Sequence, residues 1–228
     1  MEDCYWGEYR TSETCVPCRD TPWRVRRKQT MKTVILLCAL SCITPVAGAQ
    51  QSSTRDTTGT AAALHRSRAA AQELLGRVRT VLMKTMADGG AVNAVTVCAD
   101  TAQEIARRMQ TENGLSVRRV SDRWRNAADI PDGYEADALK RFAGMKSEGL
   151  LRESTEHSEY VADSAGGRFR YLRPIFVQDM CLTCHGDRGT MKDLINTVLQ
   201  ERYPADRAVG YRKGDLRGAV SVTIPAGQ

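Results

Sequence analysis

Apolar positions recur at helical spacing over two neighbouring stretches of the chain. In Ala61–Met86 they fall at Leu64, Leu74, Leu75, Val78 and Leu82. In Gly90–Asn113 they fall at Ala91, Val95, Cys98, Ala102, Ile105 and Met109. Steps of three and four mark one face of an α-helix, so both stretches are predicted helices. Asp88-Gly89-Gly90 breaks the first and lets the second fold back on it, and Asn113-Gly114 stops the second. Leu115–Val120 reads as a short strand, and Ile130-Pro131-Asp132-Gly133 as a turn into a helix from about Tyr134 to Phe142. The period then changes from 3.6 to 2. Leu150–Ala162 and Arg168–Val177 alternate as strands, joined in a hairpin around Ala165-Gly166-Gly167. Met191–Glu201 is a further helix and Gly214–Ile224 a closing strand. Helices followed by paired strands predict an α+β domain with an antiparallel sheet. Its span is 61–228, preceded by a polar linker over 50–60.

Upstream of the linker the pattern is different. Residues 31–49, MKTVILLCALSCITPVAGA, carry a Met-Lys start, an apolar run from Val34 to Ile43, and small residues ending in Ala47-Gly48-Ala49. That is the layout of a secretory signal peptide cleaved after Ala49. The apolar run falls short of the ~20 residues that cross a bilayer. The expectation is a periplasmic or secreted protein with no stable membrane insertion after cleavage. Cys42 could mark a lipid anchor, but Ala39 stands where the attachment pattern wants Leu. Residues 1–30 are polar and Arg-rich with no period, and Met31 is a natural start, so this stretch reads as a start placed too early or as an extension. Its Cys15-x-x-Cys18 pair has no further ligands nearby and is assigned no function. The net charge of +6 is spread along the chain and gives little ground for nucleic-acid binding.

Export makes the cysteines informative. Of 8 Cys, those at 4, 15, 18, 38 and 42 lie upstream, leaving Cys98, Cys181 and Cys184. An odd number in an oxidising compartment calls for a reason. Residues 180–188, MCLTCHGDR, supply one. Cys-x-x-Cys-His is the attachment pattern of a c-type haem. Two thiols about one turn apart can each add across a vinyl group of the porphyrin, and the following His185 can bind the iron. A thioredoxin-like redox pair would not need His185 and normally follows a βαβ pattern. A structural zinc site would need ligands at a second matched spacing, which the chain after Ala49 lacks.

A haem iron has a second axial position. His65, His157, Cys98 and Met83, Met86, Met109, Met145, Met180 and Met191 are the candidates. The two histidines lie in polar contexts that face solvent, and the methionines are mostly helix-core residues. Cys98 sits on the inward face of its helix. From spacing alone it is equally a small buried hydrophobe or a thiolate facing the haem.

Five further stretches carry a resemblance. These are Ala94-Val95-Thr96-Val97-Cys98; Arg118-Arg119-Val120-Ser121 with Arg125-Asn126; Tyr171-Leu172-Arg173-Pro174-Ile175; Cys181–Gly186; and Tyr203-Pro204-Ala205-Asp206 through Gly210-Tyr211 to Gly214-Asp215-Leu216-Arg217-Gly218-Ala219. Over about residues 61–226 the chain resembles the exported single-haem, PAS-like domains that occur alone or as sensor modules ahead of membrane-bound signalling proteins. Ala127 departs from the Pro that family often carries after its Arg-Asn pair. The resemblance implies a PAS-like antiparallel sheet preceded by N-terminal helices. It also implies one covalent haem c with His185 and Cys98 as axial ligands. Thiolate ligation lowers the reduction potential relative to His/Met ligation. The carboxylates of a buried haem need cationic partners, for which Arg119, Arg125 and Arg173 are the candidates. A six-coordinate iron leaves no open position, so no enzymatic activity is expected. The expected function is redox or ligand sensing through the haem, with a membrane signalling protein or redox partner. The alternative is a soluble monohaem electron carrier.

Overall fold

The computed structural model describes residues 52–164 and 166–227, all within one compact unit spanning Ala47–Gln228. The signal-peptide reading of 31–49, the reading of 1–30 and its cysteine pair lie outside the described residues.

Helix α1 (Ser52–Asn113) is two helices joined at Gly90, whose φ of 71° interrupts the helical path. Left-handed backbone costs glycine little, since it has no Cβ to clash. The fold-back is proved by contact: Arg66 donates to the Asn113 carbonyl at 3.3 Å across 47 residues, which a straight helix would hold ~70 Å apart. Residues 52–60, expected as a linker, are helical. The Ala-rich segment beginning at Ala61 propagates the helix backward through Thr, Gly and Ser, because extending a helix is far easier than nucleating one.

Strand β1 (Ser116–Val120) follows, then a short 3-10 turn at Ala127–Asp129 capped by the Asn126 side chain. Helix α2 (Gly133–Ser147) opens on a capping box, with Asp132 and Glu135 each accepting from the other's backbone N–H at 2.8 Å. It runs further than the expected Phe142. Strand β2 (His157–Val161) is shorter than the expected Leu150–Ala162, because residues 152–155 close a turn: Thr155 N–H donates to the Arg152 carbonyl and Thr155 Oγ1 accepts from Arg152 N–H. Strand β3 (Arg168–Phe176) ends in a 3-10 turn at Asp179–Cys181 that runs directly into the four-residue helix α3 (Leu182–His185). Helix α4 (Asp193–Arg202) and strand β4 (Leu216–Pro225) complete the order.

The sheet has four strands in the order β1-β4-β3-β2, every pair antiparallel. The expected α+β class with an antiparallel sheet is what the chain forms. Alternation splits the sheet residues between two faces. Val117, Phe169, Tyr171, Val220, Val222 and Ile224 pack with Ala70, Ala71, Leu74 and Met109 of α1. Val120, Leu172 and Ala219 pack with Ala138, Leu139 and Phe142 of α2. Each large apolar side chain fully buried this way contributes ~1.5–3 kcal/mol. The sheet is therefore held between helices on both faces.

Candidate functional site

The Cys-x-x-Cys-His segment lies just past the end of β3, where the 3-10 turn and α3 form one short helical run. Cys181 and Cys184 stand one turn apart on it and are both half-buried. Cys181 packs with Leu182 against Val177, Ala208 and Tyr211. Cys184 packs against Val95 of α1 and Met191, Ile195 and Leu199 around α4. Gly186 ends the run, and a Cβ there would meet the Leu182 carbonyl oxygen at 2.6 Å.

The segment between α4 and β4 clasps this run. Gly210 N–H donates to the Gly186 carbonyl at 2.7 Å, and Tyr211 N–H to the His185 carbonyl at 2.9 Å. His185 Nδ1 lies 2.7 Å from the Ala208 carbonyl oxygen, so the ring donates there and Nε2 is left without a proton. The Tyr211 ring faces the imidazole edge-on at 6.2 Å between centroids. Burial, and then the positive charges of Arg125, Arg217 and Arg119, hold the His185 pKa well below its ordinary value. The imidazole is thus kept neutral, the form that binds a metal.

Buried Asp206 anchors the clasp. It accepts from Arg125 Nε and from Arg188 Nη2, both at 3.2 Å, and its own Oδ1 accepts from Ala208 N–H at 2.8 Å. Arg125 Nη2 also donates to the Cys184 carbonyl and, at 3.2 Å, to the Ala208 carbonyl. Of the expected arginines, Arg125 is therefore in the site, bonded to its backbone. Arg119 is near the imidazole and pairs with Asp129 at 3.7 Å. Arg173 is not in the site, because on β3 it reaches the Glu153 carbonyl at 3.2 Å, beside the turn that precedes β2.

The backbone of α1 carries Cys98 three residues after Val95 and four before Ala102, both buried. Five residues further, Gln103 Nε2 donates to Asp129 Oδ1 at 3.1 Å, so this part of α1 borders the Arg119–Asp129 pair. The Cys98 side chain is outside the described residues. Among the other axial candidates, His65 is exposed. His157, expected in solvent, instead stacks on Tyr134 at 5.5 Å on the α2 face. Met109 and Met191 are core residues, and Met83 is exposed. No group of three His, Cys, Asp or Glu side chains that could hold a bare metal ion occurs among the described residues.

Sequence reading did not single out Ala208, Asp206, Tyr211, Arg188 or Arg217 as site residues. The stretch holding all but Arg188 belongs to the pattern that carries the resemblance, but its contact with Cys181–His185 joins positions more than 20 residues apart and leaves no local signal. A cleft of about 440 Å³ at the end of α2, lined by Leu151, Phe176, Val177 and Gln178 among others, contains none of the attachment residues.

A family model described as Tll0287-like matches residues 49–225. No curated protein matches the chain significantly. Among solved structures, the crystal structure of the cyanobacterial heme-protein Tll0287 is 29% identical, with a TM-score of 0.54, over 72% of this chain and 96% of that one.

Proposed function

The chain belongs to the Tll0287-like family, and from that premise we propose that it binds one haem of the c type. In this reading the haem is attached through thioethers at Cys181 and Cys184, with His185 and Cys98 as its axial ligands. The similar solved structure is that of a heme-protein, and it aligns with the chain over most of both lengths. The domain is read as PAS-like, on the ground of a four-stranded antiparallel sheet with helices around it.

The residues fit such a group. One observation carries the reading: a neutral imidazole tethered through Nδ1 to the Ala208 carbonyl follows two half-buried cysteines on the same helical run. The tether fixes tautomer and ring orientation, as ligating histidines require. The site is also rich in guanidinium groups, which suits a cofactor bearing two carboxylates.

A bound haem supplies one-electron chemistry at its iron. The protein's part is to hold and insulate it. Asp206, Arg125 and the 208–211 carbonyls and amides keep His185 in place. Arg119, Arg125 and Arg217 set a positive field beside it. With His185 and Cys98 both holding the iron, no position would remain for a substrate, and the role proposed is non-enzymatic. It is redox or ligand sensing in the periplasm or outside the cell, read by a separate membrane signalling protein or redox partner. The export reading rests on residues 31–49, and it agrees with the compartment where c-type attachment takes place. Electron carriage is the second reading. It draws on the surface position of the attachment run, where Thr183 is exposed.

The test is spectroscopy on protein expressed with a haem-attachment system. The expected result is haem that survives denaturation, with a low-spin thiolate EPR signal in the ferric state that Cys98→Ala removes without releasing the haem. An unchanged signal in Cys98→Ala would reject Cys98 as ligand and shift the balance to the carrier reading.

A further inference from the structure

Four buried or half-buried guanidiniums, those of Arg119, Arg125, Arg188 and Arg217, gather around the attachment run and its clasp. Two carboxylates answer them. Asp206 serves Arg125 and Arg188, and Asp129 serves Arg119. Arg217 has no carboxylate partner among the described residues. Its Nη1 donates to Ser121 Oγ at 2.9 Å and to the Arg123 carbonyl at 3.1 Å. Its Nε and Nη2 have no acceptor among the described residues. The guanidinium lies 5.5 Å from the centroid of Tyr211, the ring that also faces His185 edge-on and carries the Arg123 guanidinium at 4.0 Å. Burial pulls its pKa below the usual arginine value, with Tyr211 acting in the opposite sense.

A guanidinium does not escape this position by losing its proton, because arginine stays charged inside proteins. Charge taken out of water is costly unless an opposite charge meets it. Among the described residues no carboxylate bonds Nε or Nη2 of Arg217, so that side of the fork is open to an acid from outside the chain. The attachment run beside it identifies the source. Arg also presents parallel N–H donors that match a carboxylate's two oxygens, which Lys does not.

We propose that Arg217 is the seat for a carboxylate of the haem, donating through Nε and Nη2 while Nη1 stays on Ser121 and Arg123. The proposal rests on the haem reading above. It adds a residue that the motif does not contain, and with the haem's two carboxylates the four guanidiniums are matched by four acids. Arg217 is a positioning residue. It orients the porphyrin edge and places a positive charge that disfavours the ferric iron.

The experiment compares haem-loaded wild type with Arg217→Gln and Arg217→Lys, by redox titration and by resonance Raman of the carboxylate bending mode. In Arg217→Gln the thioethers still hold the haem, the Raman band shifts, and the ferric-to-ferrous ratio at fixed potential rises about tenfold, ~59 mV for one electron. Arg217→Lys keeps the charge and loses the fork, so the Raman band shifts while the ratio stays near wild type. If Arg217→Gln does not fold, the Raman band of Arg217→Lys decides alone. Variants that match wild type in both readouts overturn the carboxylate seat and leave the haem reading standing. A wild type that carries no covalent haem overturns both.

Discussion

His185 can offer Nε2 to iron because the Ala208 carbonyl holds Nδ1, and Ala208 is in turn fixed by Asp206. Asp206 has no exposed side-chain surface and serves two arginines. Asp206→Ala is therefore expected to cost ~3–5 kcal/mol, the range for breaking a buried ion pair and leaving its partner charged. Thermal melting of the variant checks this, and a loss under 1 kcal/mol would reject the anchor role. At this scale the legible part of the site was the part chemistry ties to short spacing. Cys181, Cys184 and His185 must lie within one helical run, so the sequence displays them together. Ala208 lies 23 residues from His185 and Arg217 further still, and a chain read in order gives no sign that they meet. Arg173 shows the converse. It sits in a matching stretch, yet strand geometry carries its side chain to Glu153.

Whole elements were read well where period and punctuation agree. The Gly89-Gly90 break and the turn at 130–133 leading into α2 have local causes, so the expectation and the structure coincide, whereas β3 forms without alternating burial because helices cover both faces of the sheet. The strand expected over 150–162 failed for its first half, where a side-chain turn at 152–155 competes with extension. Gly218 shows what local reading cannot price. Its φ is 154°, and a Cβ would stand 2.2 Å from the Val120 carbonyl oxygen on the neighbouring strand. Gly218→Ala is expected to push β1 from β4 and to destabilise by more than 2 kcal/mol, and a denaturant titration measures it. The joint between α1 and the sheet region responds to acid. The Glu156 carboxyl is held below its usual pKa, chiefly by the hydrogen bond from Arg68 of α1 and also by the Tyr171 hydroxyl. A folded pKa below the unfolded value, about 4.3, gives stability that is present above that value and lost as pH falls through the folded one. Glu156→Gln should flatten the stability curve below about pH 4.5. An unchanged acid limb would show that other carboxylates govern it.

At the largest scale, the described residues form a sheet with a helical layer on each face and the attachment run just past the end of β3. The class and the order of elements were legible, and the strand order was not, because pairing across the chain leaves no periodic trace. Ser116 pairs with Thr223 and Arg168 with Pro225, so β4 lies between the two strands it joins. Such long-range pairing makes folding slow. A chain ending before Leu216 should show no native sheet by circular dichroism, although it still contains Cys181–His185. If that chain takes up covalent haem, attachment does not require the finished fold; if it does not, folding comes first.

The place of β4, latest in sequence of the described strands yet an inner one of the sheet, also sets a timetable. During synthesis, Cys181–His185 emerges before either the 206–211 clasp or the strand that completes the sheet. If the attachment proposed above takes place before folding, the attaching enzyme would meet an open peptide, and closure of β4 would end its access.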